Sequence, residues 1–238
     1  MSTQAGSELR PRPLRKTYVP MNHSFTLDDV RQALVLEAFD VTTAHEKMMP
    51  FGGAGRRLPA DPAQVRIGAV LLLLYCRNQE MYLVLTRRRE DLQSHAGQIS
   101  LPGGRQEGVE TLFEAALRET EEEIGVSSTA VSFVGQLSPI YVPPSGFLVH
   151  PFIGWYKAKQ QPTFRPSLDE VAEIIEVPVR ELLDPATAVT EAWDFHGSQV
   201  MVPYFAVQGH KVWGATAIML SEFVERVRVA GSNGVEAG

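Results

Sequence analysis

The sequence predicts an α/β fold: a mixed β-sheet with helices packed against it. Three observations carry this expectation. Apolar runs of strand length recur from Ile67 onward. Two segments, Leu112 to Ile124 and Ala215 to Val229, instead space their apolar residues as helices do. Strands and helices mix without strict strand-helix-strand alternation, which favours a mixed sheet over a parallel one.

The elements follow in chain order. Residues 1–24 are rich in Pro, Arg, Ser and Thr and read as a mobile arm. Residues 25–64 hold an expected helix over Phe25 to Phe39, striped by Leu27, Val30, Leu34 and Phe39, then a Gly- and Pro-rich loop over Pro50 to Pro62. The body spans residues 65–230. Ile67 to Tyr75 is a buried strand, Arg77 to Glu80 a turn, and Met81 to Thr86 the returning strand. His95 to Arg105 is a loop broken by Pro-Gly-Gly. The helix Leu112 to Ile124 follows. Val131 to Ser138, Val149 to Tyr156 and Val171 to Val177 are strands, and Val179 to Leu183 is a short helix. Val189 to Phe195 and Val200 to Val207 flank His196-Gly197 as a hairpin. Ala215 to Val229 is the final helix, and residues 231–238 a disordered tail.

Composition narrows the function classes. Of the 238 residues, 44% are hydrophobic, enough for a packed core, and the net charge of −6 argues against broad polyanion binding such as nucleic acid. The apolar run Ala69 to Tyr75 is too short to cross a bilayer. No apolar stretch follows the basic residues Arg10, Arg12, Arg15 and Lys16, as a signal peptide would require. A soluble, cytoplasmic, non-membrane protein is the expectation. The single cysteine, Cys76, excludes an intramolecular disulfide and any CxxC site; it reads as a buried, inert thiol.

Charge is strongly local. Arg87, Arg88 and Arg89 are consecutive, and Gly104 to Val126 holds seven glutamates and two arginines. Thr111 and Glu114 have capping-box spacing, so the acidic helix starts at Thr111, and Gly125 suits the position just past its end. At 100° per residue, Phe113, Ala116, Leu117, Thr120 and Ile124 form the core face. Glu119, Glu122 and Glu123 share the neighbouring arc, related by i, i+3 and i+4. Glu114 and Glu121 fall on the solvent side, and Arg118 is placed to steady Glu114 or Glu122. Three like charges on one arc oppose helix formation unless a cation neutralises them, and carboxylates suit hard ions such as Mg²⁺ or Mn²⁺. The plain alternative is a solvated acidic helix.

The order of these residues decides between the two readings. Gly104, Glu110 and the run Arg118-Glu119-Thr120-Glu121-Glu122-Glu123-Ile124-Gly125-Val126 resemble the Nudix box, departing only at Thr120, where an aliphatic is usual. The resemblance implies a Nudix-type α/β/α sandwich with a mixed sheet, and a hydrolase cleaving a diphosphate linked to another moiety. It implies Glu119, Glu122 and Glu123 as metal-binding catalytic residues, with the Gly104 carbonyl a further ligand. Glu110, Arg118 and Gly125 are then structural members of the motif. The box leaves the general base open among Glu119, Glu123 and Glu170, the last placed in a loop after the box.

The segment before the box resembles the coenzyme A diphosphatase branch of that family. Leu85-Thr86-Arg87-Arg88 and His95-Ala96-Gly97-Gln98-Ile99-Ser100-Leu101-Pro102-Gly103-Gly104 carry this likeness. So do Tyr141 to Gly146 and Val212 to Ala217. It implies cleavage of coenzyme A or acyl-CoA to 3′,5′-ADP and 4′-phosphopantetheine, or its acyl form. Substrate-binding residues are then Arg88, Arg89, His95, Gly97, Ser145 and Gly146. Gln93 stands where the branch has an arginine, Arg89 where it has a small residue, and Leu101 where it has phenylalanine. Arg89 offers a guanidinium four residues from Gln93. The departures keep other nucleoside diphosphate derivatives open: ADP-ribose, a dinucleotide or a nucleoside triphosphate. A non-catalytic nucleotide-sensing module is the alternative from another class, but such modules lose box glutamates and none is lost here. Plain readings stand beside these roles: a surface ion pair for Arg88, a loop contact for His95, a turn for Ser145-Gly146. Nothing in the sequence sets an oligomeric state.

Overall fold

The structure, a computed structural model, describes residues 25–50, 58–59, 61, 64–91, 96–195 and 197–235. The tetrad of apolar leucines at its centre belongs to β1 (Arg66–Arg77), which pairs antiparallel with β2 (Glu80–Arg88) through a two-residue turn. Asn78 and Gln79 take φ of 52° and 64° in that turn, as tight hairpin turns of this type require. Side chains alternate along β1. Ala69, Leu71, Leu73 and Tyr75 enter one core, Leu72 and Leu74 the other. A strand buried on both faces reads as a continuous apolar run, which is what the sequence displays.

On its other side β1 pairs parallel with β7 (Phe147–Tyr156), and β5 (Val131–Gln136) pairs antiparallel at the edge. Four further strands complete the sheet. β3 (Ile99–Ser100) and β8 (Val171–Pro178) pair with β2, β4 (Gly103–Arg105) with β1, and β6 (Ile140–Val142) with β7. One parallel pair among antiparallel ones makes the sheet mixed. The segment expected as a loop over His95 to Arg105 thus contains β3 and β4; two- and three-residue strands broken by Pro102 and Gly103 leave no periodicity to detect.

Helix α3 (Leu112–Ile124) covers one face through Ala115, Ala116 and Ile124. The other face carries α1 (Leu27–Leu34), α4 (Val179–Leu183) and α5 (Gly214–Val235), with α2 (Val41–Glu46) docked on α5. The result is the α/β/α sandwich. A second sheet, β9 (Ala188–Phe195), β10 (Ser198–Val207) and β11 (His210–Trp213), packs its inner side chains Phe205, Val207 and Val212 into the α5 core.

Several expectations need correction. The helix expected to reach Phe39 stops at Leu34, and α2 starts at Val41 with Asp40 as its N-cap. The expected strand past Gln136 breaks, because the Leu137 N–H bonds Pro151 and the Ser138 N–H turns to Glu222. α5 continues through Val235, into the range expected as a tail. Cys76 is exposed rather than buried, since it follows Tyr75 at the end of β1, beyond the helices that cover Leu72 and Leu74. Among the described residues no helix is long and apolar enough to cross a membrane.

The N-terminal segment is tied to α5 by buried polar groups as well as apolar ones. Glu222 on α5 is fully buried and accepts from His45 Nε2 at 2.8 Å, Arg226 Nε at 2.9 Å and the Ser138 N–H at 3.1 Å. Burial opposes its charge, but the His45 and Arg226 bonds outweigh this and hold the carboxyl below its usual range.

Candidate active site

Backbone geometry opens the site. Gly103 has φ of 149°, and a Cβ there would fall 2.3 Å from the Ala69 carbonyl oxygen. A Cβ on Gly104 would fall 2.4 Å from the Glu119 carboxylate carbon. These two glycines let β4 lie between β1 and α3 without a side chain displacing Glu119.

α3 presents the carboxylates. Thr111 caps it, with the reciprocal Glu114 bond to the Thr111 N–H at 2.7 Å. Gly125 ends it in the left-handed region, φ 73°, donating to the Glu121 carbonyl at 2.9 Å. Thr120 is buried, its hydroxyl donating to the Ala116 carbonyl at 2.6 Å. Glu121 lies on the exposed side and accepts from the Ser128 N–H.

Arg118 is the hub of the cluster. Its Nε and Nη2 donate to the two Glu110 oxygens at 3.1 and 3.0 Å, and Nη1 lies 3.0 Å from Glu119 and 3.4 Å from Glu122. Nη2 also donates to the Arg105 carbonyl at 3.0 Å. Of the two expected partners, Glu122 is thus within reach, while Glu114 is occupied by the capping box. Glu110 Oε1 further accepts from the Glu107 N–H at 2.7 Å, so one carboxylate joins the loop before α3 to Arg118.

The glutamates differ sharply in burial. The Glu123 side chain is 5% exposed, Glu119 18% and Glu122 60%. Burial pushes Glu123 up to about 8; Arg88 opposes the shift, while Glu170 and Glu119 add to it. Burial likewise raises Glu119, against the lowering pull of Arg118. These mutual effects mean that Glu119, Glu123 and Glu170 share one electrostatic site. Arg88 sits among them, 3.7 Å from Glu123 and 3.9 Å from Glu170. Its Nε and the Glu123 Oε2 are both buried without a hydrogen-bond partner.

Does this donor set suit a divalent cation? Among the described residues no three His, Cys, Asp or Glu side chains stand at metal-ligand spacing. The Arg118 guanidinium takes up Glu119 and Glu122, and Arg88 stands between Glu123 and Glu170. The chemistry nonetheless fits: hard oxygen donors, an orphaned buried carboxylate oxygen on Glu123, and glycine backbone laid bare against Glu119.

Of the remaining expected substrate residues, the described ones do not join this cluster. The Arg89 guanidinium turns to Asp91, at 2.8 and 2.6 Å, and to the Leu168 carbonyl. Gly97 has φ of 67°, and a Cβ there would meet the Glu90 carboxylate at 2.6 Å. Ser145 and Gly146 form the turn before β7, where the Ser145 carbonyl accepts from Arg66 and the Gly146 carbonyl from the Arg66 N–H. His95 and Gln93 lie outside the described residues. Sequence reasoning missed Asp91, the partner of Arg89, and Glu173, which accepts from Arg87 at 3.0 Å and faces His210 at 3.4 Å. Asp91 carried a signal, an acid two residues from Arg89; the Glu173 contacts cross between strands and carried none.

Comparison with known proteins gives the family of the chain. A NUDIX domain model matches residues 65–196. The chain is 34% identical over 178 residues to the Nudix hydrolase NudL of Photorhabdus laumondii subsp. laumondii, covering 73% of this chain and 93% of that protein. It is 36% identical over 165 residues to NudL of Yersinia enterocolitica, covering 68% and 81%. The solved structure of a Nudix hydrolase from M. smegmatis, RenU, aligns with a TM-score of 0.46 at 16% identity, covering 78% of this chain and 94% of that one. With the domain match running from β1 to β9 and the box glutamates Glu119, Glu122 and Glu123 gathered on α3, the chain belongs to the Nudix hydrolase family.

Proposed function

We propose that the protein is a divalent-metal-dependent diphosphatase that cleaves coenzyme A or an acyl-CoA to 3′,5′-ADP and 4′-phosphopantetheine or its acyl form. The observation that carries diphosphate hydrolysis is the convergence of Glu119, Glu123, Glu170 and Arg88 beside the Gly103-Gly104 backbone. Coenzyme A rests on the sequence likeness of Leu85 to Arg88, His95 to Gly104, Tyr141 to Gly146 and Val212 to Ala217.

Glu119, Glu122, Glu123 and the Gly104 carbonyl would hold Mg²⁺ or Mn²⁺. A cation held there would supply charge neutralisation to the diphosphate and Lewis acidity to the attacking water. The chain's own groups supply the rest. Arg88 has an unpartnered Nε–H to give a phosphate oxygen, and its guanidinium lies 3.7 Å from Glu123. Glu170, 50% exposed at the mouth of the cluster, accepts the proton of the attacking water. Arg118 keeps Glu119 and Glu122 oriented through the fixed Glu110 pair.

Product analysis with coenzyme A, ADP-ribose, NADH and diadenosine polyphosphates, each with Mg²⁺ or Mn²⁺, tests the substrate. The expected result is 3′,5′-ADP and 4′-phosphopantetheine from coenzyme A. Intact coenzyme A beside cleavage of another member would remove the coenzyme A assignment and leave the hydrolase.

A further inference from the structure

We infer that Arg89 is a positioning residue that fixes Glu170 against the carboxylate cluster, not a phosphate ligand. The inference rests on the reading of Glu170 as proton acceptor. β2 and β8 pair with a register shift between Arg87 and Arg88, and the pairing reaches Arg88↔Val171. Arg89 extends it by one more bond, its N–H donating to the Glu170 carbonyl at 3.1 Å. The side chain of Arg89 then crosses to the same loop, where Nη1 donates to the Leu168 carbonyl. One residue thus grips the loop on both sides of Asp169, from its backbone and from its guanidinium.

The guanidinium is itself held. Nε and Nη2 donate to the two oxygens of Asp91 at 2.8 and 2.6 Å, a bidentate pair that sets the plane of the group. On its N-terminal side the loop is anchored to α3, the Ser167 N–H donating to the Glu123 carbonyl at 2.8 Å. Beyond Ser167 the Glu170 and Val171 N–H groups both bond the Ser167 carbonyl, at 3.2 and 2.8 Å, so Leu168 to Glu170 depend on Arg89 for the other attachment. The Leu168 side chain is exposed and adds little packing. Without the Arg89 guanidinium, the Leu168 carbonyl loses its described tie to β2. Glu170 then drifts relative to Arg88, which is fixed one residue away on the same strand end. Asp91 occupies the Nε hydrogen and one Nη2 hydrogen, and Leu168 one Nη1 hydrogen, which leaves only two of the five N–H donors for any other acceptor.

Steady-state kinetics and amide hydrogen exchange on Arg89→Gln, Arg89→Lys, Glu170→Gln and the Arg89→Gln/Glu170→Gln double variant test this. Arg89→Gln is expected to lower kcat by about 10-fold or more with KM within about twofold, the size of effect typical of supporting groups. In the Glu170→Gln background the same change is expected to add less than about twofold, since coupled residues are non-additive. Arg89→Lys, which reaches one acceptor but not both, is expected to recover part of the loss. Exchange at residues 167–171 is expected to quicken in Arg89→Gln. A raised KM with unchanged kcat, or additive losses in the double variant, would overturn the proposal in favour of a phosphate contact. Unchanged exchange would overturn the strut. Wild-type turnover in Glu170→Gln alone would overturn the role of Glu170 and the positioning role with it, while the exchange data would still decide whether Arg89 braces the loop.

Discussion

The Arg88 guanidinium lies 3.7 Å from Glu123, whose second carboxylate oxygen is buried with no hydrogen-bond partner. A half-compensated buried carboxylate is costly to keep ionised, and burial accordingly pushes Glu123 up to about 8. At neutral pH the metal-free site therefore holds a proton that a cation must displace. Mg²⁺ or Mn²⁺ binding measured calorimetrically at pH 7, in buffers of different ionisation enthalpy, is expected to release about one proton. Apparent affinity is expected to climb with pH and level off above about 8. Binding with no proton release would remove Glu123 from the ligand set.

The same shift sets a stability trend without metal. The folded state holds this proton more tightly than the unfolded state, whose ordinary value is 4.5. The Glu123 contribution is therefore fully present below that value and lost as pH rises through about 8. In Glu123→Gln, denaturant midpoints measured across this window are expected to fall less steeply than in the parent.

Gly104→Ala places a methyl group where the Glu119 carboxylate now lies. Displacing that carboxylate by about 1 Å is expected to lower kcat by about two orders of magnitude. The fold should suffer less, on the order of 1–3 kcal/mol from overpacking. Turnover and thermal unfolding of one preparation separate the two effects.

Arg118→Lys keeps the charge but cannot grip Glu110 in two places while reaching Glu119 and Glu122. A loss of roughly 10–100-fold in activity or metal affinity is expected, as for other groups that orient metal ligands. Calorimetric metal titration beside kinetics would show which is affected.

Away from the site, Glu222→Ala leaves His45, Ser138 and Arg226 without their shared acceptor. Breaking a buried ionic cluster in this way costs about 3–5 kcal/mol. Thermal unfolding should show a lower midpoint, with turnover retained at temperatures where the variant stays folded.

How much of this was legible in the sequence depends on where each signal resides. α3 was readable to the residue, because Thr111, Glu114 and Gly125 carry its boundaries locally and the box fixes its charged face. β1 and β2 were readable because their apolar runs are long. β3, β4 and α2 were not: each is too short for periodicity, and the bonds of β3 and β4 go to other strands. The likeness of spacing placed Glu119, Glu122 and Glu123 together on an arc. It could not tell that Arg118 would draw on Glu110, or that burial would divide the three so unequally. The direction of the Arg89 side chain was also hidden, since its Leu168 partner lies 79 residues away.

Glu122 offers the most direct test of the metal-dependent account, because its exposed side chain makes a folding defect an inadequate explanation for lost activity. Turnover of a diphosphate substrate by the parent and by Glu122→Gln should be measured over a Mg²⁺ and Mn²⁺ titration, with thermal unfolding in parallel. The account predicts metal-dependent cleavage by the parent, near-abolished cleavage by the variant at every metal concentration, and similar unfolding midpoints without metal. Cleavage by Glu122→Gln at the parent's rate, or parent activity untouched by a chelator, would contradict it.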